Sequence, residues 1–360
     1  MNRMITKRWM MLLRPEDKEW NEFFIEDIAE IVSGKDIYDA ERVSGSTPYI
    51  SSTAKNNGVG HFVGNKNNTL EDNCLSVNRN GSVGYSFYHP YKGLFSNDCR
   101  KLRPKFKSEY VGLFLSNQIS CQREKYNYGY KMGTGRLKRQ KIMLPIDENG
   151  KPDYPFMEEY TNALMEKKKA EYIEYCRKKL SKLTFKEVDV FEDKKWREFF
   201  LKDIFQTVQR GKRLIKANQV DGKKPYVSST ALSNGVDNFI GNRTGVRTFS
   251  NCLTIANSGS VGSSFYHPYC FVASDHVTHL QNDSFNQYVY LFIATQTNQL
   301  SEKYNFNREI NDKRVSRDKI TLPITDGGKP DYEYMAQYMM NLEYQKRKQY
   351  LEYLDSQFKG

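Results

Sequence analysis

The sequence has no long apolar run. The apolar patch at residues 9–13 is too short for a signal-peptide core or a membrane span. Six cysteines are present, but none shows the Cys-x-x-Cys or Cys/His spacing of a zinc site, and no disulfide framework is indicated. We therefore expect reduced thiols, with Cys74 and Cys252 in the core, no metal site, and a soluble cytoplasmic protein.

Signatures of common catalytic chemistry are missing as well. The sequence contains no GxxxxGK[ST] phosphate loop, no GxGxxG turn, no amino-methyltransferase motif and no convincing Asp…Glu-x-Lys nuclease cluster. Its five histidines are scattered, and His89 and His267 fall in equivalent turns, where a structural hydrogen-bonding role is expected. Ser274, Asp275 and His276 are adjacent, and adjacent residues seldom converge as a catalytic triad. These absences favour a chain without catalytic residues or a cofactor of its own.

What the sequence does contain is a nearly complete internal duplication. Residues 20–28 return as 196–204, and the offset grows from 176 residues at Trp20 to 178 residues at Gly81. The other recurring blocks are 48–53 with 225–230, 81–91 with 259–269, 144–146 with 322–324, and 150–154 with 328–332. A period this long is typical of a duplicated domain, since solenoid repeats have about 20–50 residues. Two similar modules on one chain indicate two similar targets.

The first part of each repeat is predicted to be rich in β-strands. Short apolar runs are bounded by Gly, Asn, Ser and Pro, and Asn-Gly pairs mark turns because both residues accept positive φ at low cost. Apolar residues at three- and four-residue steps predict short helices. The predicted strands are 73–77, 82–88, 251–255 and 260–266, the predicted short helices are 111–122 and 289–300, and the turns lie at 56–58, 80–81 and 234–235.

Each repeat ends in a long predicted helix, the first running to about Leu183. Asp153 and Asp331 stand where a carboxylate would cap the free N–H groups of these helices. The apolar residues form narrow stripes between charged runs, a pattern that suits a two-helix seam better than a globular core. The stripes are Met157, Tyr160 and Leu164, then Ile173, Cys176, Leu180 and Leu183 in repeat one, and Met335, Tyr338 and Leu342, then Leu351, Leu354 and Phe358 in repeat two.

These patterns predict an α+β fold with two duplicated β-rich recognition domains, separated by long helices that form an antiparallel two-helix coiled coil around a pseudo-twofold axis. At ~1.5 Å rise per residue, each helix would span on the order of 40 Å. The predicted boundaries are a leader at 1–19, domain one at 20–154, spacer helix one at 155–190, domain two at 191–332, and spacer helix two at 333–360.

The net charge points to a polyanionic partner. Lys and Arg number 55 against 43 Asp and Glu, which gives +12. The repeats differ mainly in loops that hold Arg, Lys, Asn and Ser, the donors and acceptors that read base edges, whereas the shared Arg136 and Arg314 suit phosphate positioning. The candidate DNA-binding residues are Lys35, Lys55, Asn56, Asn78, Arg79, Asn80, Tyr128, Tyr130, Lys131 and Arg136 in repeat one, and Lys212, Arg213, Ser233, Asn234, Asn257, Ser258, Asn307, Arg308 and Arg314 in repeat two.

The order of these blocks resembles a known family. A Trp-x-x-Phe strand leading to Asp-Ile, then Pro-Tyr-(Ile/Val)-Ser-Ser-Thr, Gly-Ser-Val-Gly, and Leu-Pro followed by Gly-Lys-Pro-Asp-Tyr occurs twice, over 20–183 and 196–358. This succession is similar to the target recognition domains of restriction–modification specificity subunits, the S subunits of type I systems and the separate specificity chains of type IIB-like enzymes. The repeats depart from each other at Asp36 against Arg213 and at Gly135 against Lys313, which suggests different half-sites.

The resemblance implies that each domain reads one half of a split site in double-stranded DNA. It further implies that the helices set the gap and dock methyltransferase subunits, two of them in our interpretation. Those subunits would carry the S-adenosylmethionine chemistry, with a restriction subunit or domain as a further partner, in a bacterium or archaeon and away from any membrane.

Two other interpretations stay open from the residues alone. The first is a self-contained restriction or modification enzyme with an unrecognised active site. The second is an adaptor whose repeats bind two copies of a protein rather than nucleic acid.

Overall fold

The computed structural model describes residues 14–127, 129–305 and 308–357. The apolar patch at 9–13, most of the leader at 1–19, and the candidate residues Tyr128, Asn307 and Phe358 lie outside these ranges. The chain divides into two units, with the division between Tyr172 and Ile173. Among the described residues, no helix combines the length and the apolar character needed to cross a membrane.

Unit 1 combines three small sheets with short helices. Its strands are β1 (Trp20–Phe24), β2 (Ala29–Ser33), β3 (Ser44–Ile50), β4 (Val59–Val63), β5 (Cys74–Asn78), β6 (Ser86–His89), β7 (Leu94–Phe95), β8 (Cys99–Pro104) and β9 (Lys141–Pro145), and its helices are α1 (Ile25–Ile28), α2 (Glu109–Ser120), α3 (Thr134–Lys138) and the start of α4 (Tyr154–Leu180). The sheet orders are β1-β9, β2-β8-β5-β6 and β4-β3-β7.

Unit 2 repeats this arrangement. Its strands are β10 (Trp196–Phe200), β11 (Thr207–Arg210), β12 (Asp221–Val227), β13 (Val236–Ile240), β14 (Thr248–Phe249), β15 (Cys252–Ala256), β16 (Ser264–His267), β17 (Phe271–Ala273), β18 (Val277–Gln281) and β19 (Lys319–Pro323), and its helices are α5 (Leu201–Ile204), α6 (Gln287–Asn298), α7 (Leu300–Lys303), α8 (Asp312–Val315) and α9 (Tyr332–Gln357). The orders β10-β19 and β11-β18-β15-β16 match unit 1, and β13-β12-β17-β14 adds one strand to the third sheet. The predicted α+β class and internal repeat are confirmed.

The core of each unit lies between the four-stranded sheet and the helix that follows it. In unit 1, Leu75 and Leu102 of the sheet pack in one cluster with Val111 and Leu115 of α2. The N-terminus of α6 is capped by Asn286, whose side chain accepts hydrogen bonds from the amides of Tyr288 and Val289. Both helices begin and end two residues earlier than the sequence predicts. The predicted core positions Cys74 and Cys252 are fully buried, and burial raises the pKa of each thiol to about 12.

Two strand predictions were wrong at their starts. Strands β6 and β16 begin at Ser86 and Ser264, not at residues 82 and 260. The preceding glycines, Gly84 and Gly262, have φ of +83° and +87°, and a Cβ there would meet the backbone of Arg123 at 2.8 Å and of Ser301 at 2.6 Å. These segments are therefore turns, because only glycine combines that backbone conformation with such a close approach.

The long helices are present in both repeats. Asp153 and Asp331 cap them as predicted, each accepting a hydrogen bond from a first-turn amide at 3.0 Å. Helix α4 ends at Leu180, three residues before the predicted end at Leu183.

Within unit 2, the end of α4 and the segment that follows it run antiparallel to α9. Arg347 Nη1 donates to Cys176 Sγ at 3.6 Å, whereas Asn341 Nδ2 donates to Lys186 O at 2.6 Å. As the chain moves forward from α4, its contacts therefore move back along α9. An antiparallel seam over the remaining length of the two helices stays a prediction.

Candidate DNA interface

In unit 1, loops that carry candidate residues begin at one end of the four-stranded sheet. Ser33, the last residue of β2, pairs with Arg100 in β8, and Asn78, the last residue of β5, pairs with Cys99. The loops that carry Lys35 and residues 79–80 therefore begin side by side. Residues that are far apart in the sequence are brought together here by strand register alone.

Backbone hydrogen bonds hold the loop at residues 79–80 to Asp98, which directly precedes β8. The amides of Arg79 and Asn80 both donate to Asp98 O, at 2.9 Å and 3.2 Å, and Asn80 Nδ2 donates to Asp98 Oδ1 at 3.2 Å. The Arg79 guanidinium lies 3.8 Å from the same carboxylate. The side chains at this end of the sheet are thus presented from a fixed backbone, as a reading surface requires.

The turn that contains Lys55 and Asn56 joins the same end. Ser82 N donates to Ser52 O at 3.0 Å, and Asn78 Nδ2 donates to Thr53 O at 3.0 Å. Asn56 has a positive φ of 49°, so the turn predicted from the Asn-Asn-Gly run is confirmed. Both candidate side chains in this turn are exposed.

A buried arginine of the sheet, Arg100, holds the segment that contains α3. Arg100, with 5% of its surface exposed, donates from Nε to Thr134 Oγ1 at 2.7 Å at the start of α3. Burial lowers the pKa of Arg100, and the nearby charge of Arg79 acts in the same direction. The contact anchors the segment with Arg136, whose guanidinium lies 4.0 Å from the Tyr130 ring centroid and donates to Lys131 O at 2.7 Å.

Unit 2 builds the same surface from different residues. Asn257 N donates to His276 O at 2.8 Å, and the Ser258 hydroxyl lies 2.6 Å from His276 Nδ1. Ile310 N donates to Asn257 O at 3.0 Å, which attaches the segment that carries Arg308 and Arg314. The turn with Ser233 and Asn234 is attached through Ser260 N, which donates to Ser229 O at 3.0 Å. Among the described candidates of the two units, the exposed ones are Lys35, Lys55, Asn56, Tyr130, Arg136, Lys212, Arg213, Ser233, Asn234, Arg308 and Arg314.

Three candidates are not available to a base. Asn78 is 0% exposed, Asn257 is 1% exposed and Ser258 is 7% exposed. Asn78 bonds Thr53 O, Asn257 accepts from Thr278 Oγ1 at 2.9 Å, and Ser258 is paired with His276. Each side chain instead joins neighbouring segments from the inside, so we remove all three from the set of base-contacting residues.

Sequence reasoning missed Asp98, Arg100 and His276. Asp98 and His276 are separated by 178 residues, the offset of the duplication, and their side chains are 44% and 59% exposed. The available signal was the contrast between an acid and a histidine two residues after a serine, Ser96 or Ser274, that both repeats share. Arg100 gave no such signal, because an arginine at the start of a strand is ordinarily solvated.

The histidines in the duplicated turns are structural, as predicted. His89 and His267 are fully buried, and each Nε2 pairs with a hydroxyl, of Ser76 at 2.9 Å and of Thr254 at 2.8 Å. Burial lowers the pKa of each histidine to about 4.

The Ser274-Asp275-His276 segment does not form a triad. Ser274 Oγ accepts a hydrogen bond from the His276 amide at 3.2 Å, and Asp275 Oδ1 lies 3.9 Å from Nε2, beyond hydrogen-bond distance. Over the ranges that the structure describes, no group of three or more His, Cys, Asp or Glu side chains is placed to hold a metal ion.

Comparison with known proteins identifies the repeated module. The profile of the family described as "Type I restriction modification DNA specificity domain" matches residues 17–175 and again 193–353. A curated relative, the type II restriction enzyme BgcI specificity subunit S.BcgI of Heyndrickxia coagulans, is 42% identical over 147 residues, which is 40% of this chain and 43% of the relative. The match therefore spans less than half the length of that protein.

Two solved structures are similar at low sequence identity. The S subunit of the type I restriction–modification system from M. genitalium is 17% identical, with 94% of this chain and 93% of that chain covered and a TM-score of 0.47. The HsdS subunit from Thermoanaerobacter tengcongensis is 12% identical, with coverage of 96% and 92% and a TM-score of 0.31. The resemblance inferred from the repeated sequence blocks is confirmed by the two profile matches, which together span most of the sequence: this chain belongs to the type I restriction modification DNA specificity domain family and carries the domain twice.

Proposed function

We propose that this chain is the sequence-specific DNA-binding subunit of a restriction–modification complex, and that each unit reads one half of a two-part site in duplex DNA. One observation carries the proposal. In each unit the loops that differ between the repeats converge on the equivalent end of its own four-stranded sheet, and the two sheets have the same strand order. A common scaffold with divergent loops suits two readers of different base sequences.

The exposed charges on this end of the sheet suit a phosphate backbone. Lys35, Lys55 and Arg136 are exposed in unit 1, and Lys212, Arg213 and Arg314 in unit 2. Affinity would come largely from such contacts and would fall steeply as salt increases. Specificity would come from base edges, where each good bidentate contact discriminates by ~1–3 kcal/mol.

The long helices are the proposed attachment for the catalytic partners. Leu164 and Met165 on α4 are 40% and 41% exposed, and Tyr353 on α9 is 57% exposed. Exposed apolar side chains on a charged helix favour a protein partner. We propose two methyltransferase subunits here, which would hold S-adenosylmethionine, with the helices setting the gap between half-sites. Met165 is not on the predicted seam stripe, so Met165→Asp should abolish co-purification with the methyltransferase, whereas Lys168→Ala should not; retention by Met165→Asp would refute the docking site.

Exchange of one unit tests the proposal most directly. Residues 20–154 would be replaced by the corresponding segment of a related specificity subunit, and the complex with its methyltransferase would modify a randomised duplex library. We expect one half of the modified site to take the donor's sequence and the other half to stay unchanged. A change in both halves, or in neither, would contradict independent reading by two units. The reciprocal exchange of residues 191–332 is the matched control and should move only the other half.

A further inference from the structure

The two units differ in chemistry at one equivalent pair of positions. Residues 80 and 98 in unit 1 correspond to residues 258 and 276 in unit 2, at the offset of 178. The backbone is the same in both, since Arg79 N donates to Asp98 O at 2.9 Å and Asn257 N donates to His276 O at 2.8 Å. The side chains are an amide with a carboxylate in one unit and a hydroxyl with an imidazole in the other.

These side chains are not needed to hold the loops. The backbone hydrogen bonds already join them, and they do not depend on which side chains stand at residues 98 and 276. The Asp98 carboxylate lies 3.8 Å from Arg79 with 44% of its side chain exposed, and exposed ion pairs contribute little to stability. A role in packing therefore does not explain why one unit has an acid and the other a histidine.

The unit 1 pair presents a hydrogen-bond acceptor. Asn80 Nδ2 donates to Asp98 Oδ1 at 3.2 Å, and Asn80 Oδ1 is buried, so the amide orients the carboxylate from the inside. The Asp98 side chain is 44% exposed, and an ionised carboxylate only accepts hydrogen bonds. It matches a base edge that carries an exocyclic amino group, as cytosine N4 and adenine N6 do in the major groove.

The unit 2 pair presents a donor. The Ser258 hydroxyl lies 2.6 Å from His276 Nδ1, within hydrogen-bond distance. On the opposite edge of the ring, Nε2 lies 3.9 Å from Asp275 Oδ1. With 59% of its side chain exposed, the ring can donate a hydrogen bond outward. Guanine offers two acceptors, O6 and N7, on its major-groove edge.

We propose that Asp98 supported by Asn80, and His276 supported by Ser258, occupy the same base-reading position in the two units, the first selecting an amino-bearing base and the second selecting guanine. This assignment rests on the proposed function. It adds Asp98 and His276 to the reading surface and gives each the class of base it recognises.

The test transplants the unit 2 pair into unit 1. Asn80→Ser with Asp98→His would be made in the full chain, and the complex with its methyltransferase would select from a randomised duplex library. We expect one base position in one half-site to change from adenine or cytosine to guanine, by about 5- to 150-fold, which corresponds to ~1–3 kcal/mol for one base contact. All other positions should keep their preference.

Two further variants keep the outcome interpretable. Asp98→Asn preserves shape and exchanges one acceptor for a donor, so it should weaken the original preference even if the double variant does not fold, which thermal melting would reveal. Glu148→His makes the same acid-to-histidine change in the exposed turn after β9 and should leave the selected sequence unchanged.

Two results would overturn the assignment. A folded double variant that selects the original sequence shows that the pair does not read a base. One that loses all selection shows that the pair is needed for binding and not for choice. If the wild-type complex itself selects no two-part site, the proposed function fails, and that result is distinct from either of these.

Discussion

At one equivalent position in their four-stranded sheets, the two units bury side chains of different chemistry. In unit 1, Lys101 is 1% exposed and its ammonium group pairs with Glu71 and donates to Thr69 O at 3.2 Å. In unit 2, the equivalent residue is His279, which is 2% exposed and stacks on Phe249 with 3.8 Å between ring centroids. Strand register is preserved, since Lys101 pairs with Ser76 in β5 and His279 with Thr254 in β15.

The difference shows what this scaffold requires of a buried residue. A buried charged side chain is tolerated where an opposite charge pairs with it and a carbonyl accepts its hydrogen bond. A buried neutral imidazole is tolerated where an aromatic ring stacks on it and a carbonyl lies within hydrogen-bond distance. His279 Nδ1 lies 2.8 Å from Gln209 O, which supplies that carbonyl. The sheet therefore constrains shape and hydrogen bonding rather than residue type, and this freedom lets the two units diverge while keeping one fold.

The largest effect is expected from breaking the ion pair in unit 1. Glu71→Phe alone leaves Lys101 buried without its carboxylate, which should cost about 3–5 kcal/mol of unfolding free energy. Adding Lys101→His reproduces the phenylalanine–histidine pair of unit 2 and should recover most of the lost unfolding free energy. Urea denaturation of both variants checks this expectation.

The matched control is Phe249→Leu in unit 2, which removes the ring face without leaving a charge unpaired and should cost less than Glu71→Phe. If Glu71→Phe is as stable as the wild type, or if the added histidine recovers nothing, the two solutions are not interchangeable.

Acid should destabilise unit 2 more than unit 1. Burial lowers the pKa of His89 and of His267 to about 4 and also lowers the pKa of His279, whereas unit 1 has a lysine at the last position. A histidine whose folded pKa is depressed contributes stability above its unfolded pKa of ~6.5, and that stability is lost as pH falls, because the unfolded state takes up the proton first. At pH 5 the loss is about 2 kcal/mol for each of His89 and His267.

Hydrogen exchange measured at pH 7.5 and at pH 5 would resolve the two units separately. His279→Gln should bring the acid sensitivity of unit 2 close to that of unit 1. Glu71 does not titrate between pH 7.5 and pH 5, because its hydrogen bond with Arg103 lowers its pKa from the ordinary value of 4.5. It therefore does not affect this comparison of the two units. Equal loss in both units of the wild-type chain would contradict a contribution from His279.

Features fixed by local chemistry could be predicted from the sequence. Asn57 and Asn234 adopt positive φ of 55° and 54° within Asn-Gly turns, and the long helices begin at their aspartate caps. In each case the determining residues lie within four positions of one another. The family resemblance also came from local blocks whose order is repeated.

Features fixed by tertiary contact could not be predicted in the same way. Residues 82–85 were expected to be a strand, but the turn there depends on Gly84 lying against Arg123, far along the chain. Asn78 was expected in a loop, yet β5 continues through it and turns it inward. Asp98 became a candidate only when register placed it beside Asn80.

The smallest expected effect concerns the helix caps, where the two units should behave alike. Asp153 Oδ1 accepts from Phe156 N and Asp331 Oδ1 from Tyr334 N, both at 3.0 Å, and each carboxylate also pairs with a lysine, Lys18 or Lys194. Replacement of either aspartate by alanine should cost about 1 kcal/mol, since a first-turn amide loses its acceptor.

The matching asparagine variants separate the two contributions, because asparagine keeps the acceptor and loses the ion pair. Each should therefore retain most of the stability that the alanine variant loses, as measured by urea denaturation. A large difference between the Asp153 and Asp331 variants would show that one helix start depends on contacts that the other lacks, and the equivalence of the two units would then end where the long helices begin.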